Sequence, residues 1–124
     1  MWRNLDARLL EMAPGSVLVE ARLTEAAHGF PTANGWIVHG GAVSALADCA
    51  LASAAASLAA EGEVPTTASL QVDFYRTARP GRLLGRATAR HRTSRLAYCH
   101  GTLEQDDGTV VAEARAVMYF VKPG

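Results

Sequence analysis

Residues 39–62 read HGGAVSALADCALASAAASLAAEG, and this stretch decides the fold. Ten of the nineteen residues in the range Ala42–Ala60 are alanine, the residue with the highest helix propensity. The stretch therefore predicts a long helix that begins at Gly40-Gly41 and ends near Gly62, because glycine is favoured just past a helix end. A membrane span is not expected, since Asp48 near the middle would cost about 2.5–3.5 kcal/mol in lipid. The short side chains favour close packing against a sheet.

The sequence on both sides of this helix alternates apolar and polar residues with the period of two that is typical of half-buried strands. Five strands are predicted, one before the helix and four after it: Ser16–Leu23, Thr67–Thr77, Arg82–Arg92, Leu96–Gln105 and Thr109–Val121. This order predicts an α+β fold with two layers. An antiparallel sheet of about five strands is expected to curl around the long helix and bury it.

The segments outside this pattern are shorter. Residues 1–12 alternate charged residues with Leu and Ala, which predicts a short amphipathic helix ended by Pro14-Gly15. Residues 24–38 contain several glycine, proline and asparagine residues and are expected to form a loop that leads into the long helix. No repeat or low-complexity linker divides the chain, so we expect one domain over residues 1–124.

Composition excludes several classes of protein. The 124 residues carry 12 Lys+Arg and 12 Asp+Glu, and this zero net charge disfavours binding to nucleic acid by the chain as a whole. Cys49 and Cys99 form no CxxC motif and are expected to be reduced, buried thiols. The charged N-terminus does not resemble a secretory signal, so a cytoplasmic location without membrane contact is expected. A core of this size requires neither a disulfide nor a structural metal.

Asp48 is the first candidate for chemistry. It is the only formally charged residue in the 35 positions between Glu25 and Glu61, and its neighbours are Ala, Leu, Val and Cys. An isolated carboxylate in such surroundings is costly unless it is paired or has a function. The alternative is that Asp48 lies on an exposed face of the helix. Such a face normally carries several charged residues, whereas the polar residues of this helix are otherwise only serines.

Gly40 and Gly41 are the second candidate, because they leave the first N–H groups of the helix free of side-chain cover. Those groups and the helix dipole stabilise negative charge on a nearby oxygen, as an oxyanion hole does. The alternative is that the glycines only permit a tight turn into the helix. Gly40 and Asp48 lie about 12 Å apart along one helix, so a single carbonyl cannot touch both. If both act on one substrate, they come from two chains of a two-fold homodimer with antiparallel helices.

These residues carry a resemblance to a known family. The stretch Asn34–Asp48, NGWIVHGGAVSALAD, resembles the signature of the hotdog-fold acyl-CoA thioesterases of the phenylacetic-acid-degradation (PaaI-like) type. The resemblance continues through Thr67–Arg76 and Ala78–Gly81, and it covers essentially residues 15–121. HGG followed by six residues and Asp is fairly specific at the start of an apolar helix.

The resemblance implies a role for each of four residues. Asp48 would be the catalytic carboxylate, acting as nucleophile or as general base on water. The backbone N–H of Gly40 would polarise the thioester carbonyl from the other subunit, with His39 supporting that loop. Thr67 falls where the family places a Ser or Thr that positions the water or the carboxylate.

Asn34 departs from the family pattern. The family commonly has an Asn six residues before the His of HGG, whereas Asn34 stands five before His39 and the sixth position is Ala33. Either the loop has lost a residue and Asn34 still reaches the site, or that hydrogen bond is absent.

A local excess of positive charge suggests how coenzyme A is held. The segment from Phe74 to Leu103 carries seven arginines, two histidines and no acid. Most of these arginines are expected to be solvated. Arg90, Arg92 and Arg95 surround a predicted hairpin turn and are expected to contact phosphates, and Gly41 is expected to contact substrate at the helix start.

Together these features predict an acyl-CoA thioesterase that releases a free acid and CoA without metal or other cofactor. The small side chains of the helix leave room for a bulky acyl group, so an aryl or medium-chain group is expected. The family often forms a dimer of dimers. Two alternatives stay open: a non-catalytic acyl-CoA-binding hotdog module, and a hotdog hydratase or dehydratase, whose His motif is only loosely matched by His28-Gly29-Phe30-Pro31.

Overall fold

The computed structural model of the chain describes residues 2–123. Its elements in chain order are α1 (Trp2–Leu5), β1 (Arg8–Ala13), β2 (Ser16–Leu23), α2 (Glu25–His28), β3 (Gly29–Thr32), β4 (Gly35–Val38), α3 (Gly40–Ala56), β5 (Val64–Phe74), β6 (Gly81–Arg92), β7 (Leu96–Gln105) and β8 (Val110–Val121). Six strands form an antiparallel sheet in the order β1-β2-β6-β7-β8-β5, while β3 and β4 form a separate hairpin. The predicted α+β fold with a long central helix is confirmed, with six strands rather than about five.

The helix α3 packs on one side of the sheet, which we call the inner face; the opposite side is the outer face. On β6 every second residue from Leu83 to Ala89 is buried beneath the helix. A Cβ atom on Gly85 would lie 3.1 Å from the Cβ of Ala50, so glycine on the strand and alanine on the helix allow a close approach. None of the helices within residues 2–123 has the length and apolar character needed to cross a bilayer.

The predicted helix over residues 1–12 is wrong beyond Leu5. Segment Arg8–Ala13 is the edge strand β1, which pairs with β2 and supplies the sixth strand. Gly15 makes the connecting turn with φ +80°, and its carbonyl accepts a hydrogen bond from the Ala89 N–H. The alternation of charged residues with Leu suits a short helix or an edge strand equally well, and the neighbouring strand decides between them. Residue 1 lies outside the described residues.

The predicted loop over residues 24–38 is also more ordered than expected. It contains the short helix α2 and the β3–β4 hairpin. Thr24 caps α2, because its Oγ1 accepts a hydrogen bond from the Ala27 N–H at 3.1 Å. Elements of four residues are too short to show a periodicity, which is why the sequence pattern missed them.

The long helix begins at Gly40 as predicted but ends at Ala56, six residues before Gly62. Ser57 follows the last helical residue, and its hydroxyl donates to the Ala54 carbonyl at 2.6 Å. The same hydroxyl accepts a hydrogen bond from the Gly15 N–H at 2.7 Å. This contact with the β1–β2 turn, 42 residues away, ties the helix end to the sheet.

We expect Gly101→Ala to destabilise the fold by about 2 kcal/mol, a typical cost of overpacking. A Cβ on Gly101 would overlap the carbonyl oxygen of Arg86 and lie 3.2 Å from the Cα of Ala87, both backbone atoms of the neighbouring strand. The pairing of β6 with β7 must shift to make room. Thermal unfolding should show a decrease in Tm of about 10 °C.

The matched control is Gly41→Ala in α3, where no atom lies within 4 Å of the added Cβ. Because alanine favours a helix more than glycine does, this variant should unfold at the same temperature as the wild type or higher. An unchanged Tm for Gly101→Ala would contradict the close approach of β6 and β7.

Two paired carboxylates should make the fold sensitive to acid. The hydrogen bond from Arg82 lowers the pKa of Glu20 below its ordinary 4.5, and the Ala60 N–H together with Arg92 lowers the pKa of Glu63. A lowered folded-state pKa stabilises the protein above the unfolded pKa, and this contribution is lost as pH falls through the folded value. The urea concentration at the midpoint of unfolding should therefore decrease as the pH is lowered below about 4.5.

Glu20→Gln should flatten this acid dependence, because Glu20 is 5% exposed and Arg82 Nε lies 2.6 Å from its Oε2. Glu11→Gln, on the exposed edge strand β1, is the control and should retain the wild-type profile. If the urea midpoint of Glu20→Gln depended on pH in the same way as that of Glu11→Gln, Glu20 would not contribute to the acid sensitivity.

Candidate active site

Asp48 lies on α3 and is half-buried beside the edge strand β5. Its Oδ1 accepts a hydrogen bond from Thr67 Oγ1 at 2.6 Å. Its Oδ2 has no hydrogen-bond partner among residues 2–123. The carboxylate is thus oriented through one oxygen, and the other oxygen remains available to a water molecule or a substrate.

A β-bulge places Thr67 against the helix. In the pairing of β5 with β8, Thr67 lies opposite Met118 and Ser69 lies opposite Val117, so Ala68 is an extra residue. The bulge reverses the alternation of side chains after it. The side chain of Thr67 therefore lies on the inner face, toward Asp48, whereas the side chain of Ser69 lies on the outer face.

The start of α3 leaves backbone donors without partners. His39 is the N-cap residue but makes no side-chain capping bond. Its carbonyl accepts from Ala42 and Val43, and the N–H groups of Gly40 and Gly41 have no acceptor within residues 2–123. Two free N–H groups at the positive end of a helix dipole can bind a carbonyl oxygen that becomes negative.

A cavity of about 350 Å³ lies beside Gly40. Its walls are mostly apolar and aromatic, and they include Phe30, Ile37, Val43 and Phe74. The ring of Phe74 lies 3.4 Å from the position that a Cβ on Gly40 would occupy. A larger residue at this position would fill the space in front of the free N–H groups.

His39 supports this loop through its backbone and its ring. Its N–H donates to the His28 carbonyl at 2.8 Å, and its ring packs on Phe30 with 4.7 Å between centroids. The sequence predicted a supporting role for His39 but did not identify Phe30 or Phe74. Phe30 lies in a strand of only four residues and Phe74 lies at a strand end, so neither carries a periodic signal that would have singled it out.

His28 is fully engaged in structure. Its Nδ1 accepts from the Thr24 N–H at 2.9 Å, so its Nε2 carries the proton and donates to the Asn4 carbonyl at 2.6 Å. Both ring nitrogens are used to anchor α1 and α2 beside the HGG loop. This arrangement disfavours His28 as a proton carrier and therefore disfavours a hydratase or dehydratase.

Asn34 lies in the exposed turn between β3 and β4. Its N–H donates to Thr32 Oγ1 at 3.2 Å. Its side chain makes no hydrogen bond to Asp48 or His39, so within one chain the structure does not bring Asn34 to the carboxylate.

The three arginines that were expected to act together have different surroundings. Arg92 donates to Glu63 at 2.9 Å and to the Leu58 carbonyl at 3.1 Å, and its guanidinium lies 3.9 Å from the centre of the Phe120 ring. Arg90 lines a cavity on the outer face. Arg95 is exposed in the β6–β7 turn and forms no ion pair within residues 2–123.

Neither cysteine is placed to act as a nucleophile. Burial raises the pKa of the Cys49 thiol to about 11, with the charge of Asp48 adding to the effect, and burial raises the pKa of Cys99 to about 11. Both therefore stay protonated at neutral pH. Within residues 2–123, no three His, Cys, Asp or Glu side chains converge as metal ligands do.

The family model of the thioesterase superfamily matches residues 35–112 of this chain. A search of curated proteins gives no significant sequence match. The matched range contains the HGG loop, Asp48 and Thr67.

Several solved structures are similar over nearly the whole chain. A phenylacetic acid degradation-related protein from Ralstonia eutropha has 28% identity and a TM-score of 0.84, covering 95% of this chain and 87% of that chain. The PaaI protein of Thermus thermophilus has 26% identity and a TM-score of 0.79, covering 95% and 96%. The Escherichia coli PaaI protein has 22% identity and a TM-score of 0.84, covering 97% and 83%. The predicted PaaI-like resemblance and the hotdog thioesterase fold are confirmed.

Proposed function

This chain belongs to the thioesterase superfamily, and we propose that it hydrolyses an acyl-CoA to a free acid and CoA. Its thioester hydrolase activity follows from the family. Our proposal adds the substrate, the roles of the residues and the use of two chains for each site.

The contacts of strand β5 are the observation that carries the proposal. Asp48 is hydrogen-bonded to Thr67, and Gly40 packs against Phe74 on the same strand. Thr67 and Phe74 are seven residues apart, about 23 Å along a strand. One thioester therefore cannot reach both groups in a single chain.

A second copy removes this difficulty. Strand β5 is a free edge of the sheet, and Leu70 (37%) and Phe74 (49%) are exposed there. If two β5 edges pair antiparallel about a two-fold axis at Gln71, the extra residue Ala68 brings Thr67 opposite the partner's Phe74. Because of the bulge at Ala68, both side chains point to the inner face. Asp48 then faces the partner's Gly40.

The chemistry divides between the two chains. The free N–H of the partner's Gly40 polarises the thioester carbonyl and stabilises the oxyanion that forms on it. Asp48 acts as general base on water or as nucleophile, and Thr67 holds its Oδ1. The C–S bond then breaks and CoA leaves as a thiolate, which takes up the proton that Asp48 removed from water. On the nucleophilic route, water hydrolyses the acyl-Asp48 anhydride to the free acid and supplies this proton. Asn34, which is on the partner's hairpin in this arrangement, is retained as a candidate contact.

The acyl group is proposed to occupy the cavity beside Gly40. Its volume of about 350 Å³ and its phenylalanine walls support a bulky, aryl acyl group. At the other end of the substrate, Gly41 and the arginines of the β6–β7 hairpin remain our proposed contacts for CoA. Arg95 is the first of these, because Arg92 already pairs with Glu63.

Thiol release from a panel of acyl-CoA substrates tests the proposal. We expect turnover with aryl-CoA substrates and slower turnover with short straight chains. Tight binding without hydrolysis across the panel would instead support a non-catalytic acyl-CoA-binding module. Sedimentation should show a dimer or a dimer of dimers, and a fully active monomer would rule out the shared site.

A further inference from the structure

A second cavity lies on the outer face of the sheet. It has a volume of about 490 Å³, and its lining includes Ser69, Gln71, Arg90, Tyr98, His100 and Arg115. These residues come from four adjacent strands. Since Thr67 and Asp48 are on the inner face, the sheet separates this cavity from the proposed catalytic carboxylate.

The charge of this outer cavity favours an anion. Arg90, His91, His100 and Arg115 line it, and no acidic residue does. The carboxylate of Asp73 lies 3.9 Å from Arg115 Nη2, and both side chains are at least half exposed, so this ion pair is weak. Arg90 forms no ion pair within residues 2–123.

His100 supplies a further unused polar atom. Its Nε2 is closed to water and has no hydrogen-bond partner within the part of the chain that the structure describes. Such an atom is costly when left unsatisfied. If a side chain on the cavity floor moves to open Nε2, an anion held by the two arginines would give this atom a partner.

The remaining walls are apolar and aromatic. Tyr98 is 46% exposed, and it lines the cavity together with Val117. A tyrosine ring beside arginines suits a planar base next to a phosphate. We propose that the outer cavity binds a nucleoside phosphate. Two sources share this chemistry: a free nucleotide, and the adenosine phosphate end of coenzyme A.

Calorimetric titration of the purified wild-type chain with ADP, adenosine 3′,5′-bisphosphate and inorganic phosphate tests this site. We expect both nucleotides to bind and inorganic phosphate to bind at least about tenfold more weakly. Arg115→Gln and His100→Gln should each weaken nucleotide binding by about tenfold or more. Arg115 is 65% exposed, so its replacement keeps the fold even if His100→Gln does not.

Arg86→Gln is the matched control. Arg86 lies on β6 like Arg90 and is exposed on the outer face, where it pairs with Glu104 at 2.8 Å outside the cavity. This variant loses the same charge and should bind nucleotide as the wild type does. Tyr98→Ala should weaken nucleotide binding and leave phosphate binding unchanged.

Inhibition kinetics separate the two sources. If the nucleotide raises the KM for acyl-CoA and Arg115→Gln does the same, the cavity holds the nucleotide end of the substrate. If the nucleotide binds without changing KM, the cavity is a separate nucleotide site; either result supports the proposal.

Three results would overturn it: no saturable binding of either nucleotide at millimolar concentration, wild-type affinity in Arg115→Gln, or equal affinity for inorganic phosphate. Binding is measured without turnover, so this proposal can fail while the thioesterase proposal stands, and the reverse.

Discussion

Asp48→Asn should lower kcat for acyl-CoA hydrolysis by about 10²- to 10⁴-fold while the fold is retained. Asparagine has the same shape, and its Oδ1 can still accept the hydrogen bond from Thr67 Oγ1. It lacks the negative charge needed to attack the thioester or to remove a proton from water. Thiol release measures the rate, and urea unfolding should show a free energy within about 1 kcal/mol of the wild type.

Two further variants test whether the lower kcat of Asp48→Asn is due to the loss of the carboxylate. Thr67→Val removes the donor that orients Asp48 but leaves the carboxylate, so a smaller loss of about tenfold is expected. Ser53→Ala removes a hydrogen bond to the Cys49 carbonyl on the same helix and should keep the wild-type rate. Wild-type turnover by Asp48→Asn would show that Asp48 is not the catalytic carboxylate.

A mixture of two inactive chains should recover about a quarter of the wild-type activity. In Gly40→Val the added side chain meets the ring of Phe74 and covers the free N–H groups. Asp48→Asn lacks the carboxylate. When the two chains are mixed equally after unfolding and refolding together, about half of the dimers are mixed, and each contains one intact site of two. Each variant refolded alone should stay inactive.

A chain that carries both substitutions provides the matched control. If sites are shared, a dimer of this chain with the wild type has no intact site, and an equal mixture retains about a quarter of the activity. If each site were built within one chain, the mixture would retain about half. If sites are shared, the mixture of the two single variants recovers activity, and the mixture of the doubly substituted chain with the wild type retains about a quarter rather than half. No recovery, with half the activity in the control, would refute the composite site.

Local sequence predicted most of the sheet and the central helix. The alanine-rich stretch starts a helix at Gly40, and the run Leu96–Gln105 forms a strand over the same residues as predicted. Asp48 could be singled out because it is the one charge in a long uncharged segment. These signals depend on propensity and periodicity, which belong to the residues themselves.

Contacts between distant residues could not be predicted in this way. Segment Arg8–Ala13 becomes a strand because β2 is beside it. Ser57, directly after the end of α3, accepts a hydrogen bond from the distant Gly15 N–H. The surroundings of the arginines in the β6–β7 hairpin also depend on distant residues. Arg92 is engaged by Glu63, 29 residues earlier, and Arg90 opens onto the outer face. Equal charges in one short segment thus have different surroundings.

The sequence by itself determined the helix, the alternating strands and the isolated carboxylate, because each depends on residues that are neighbours in the chain. Only the tertiary structure decided what that carboxylate contacts. The extra residue Ala68 turns Thr67 toward Asp48 and leaves Phe74 on the same face, beside Gly40. A bulge shifts the register of a strand without changing its composition, so it becomes visible only when the partner strand is in place.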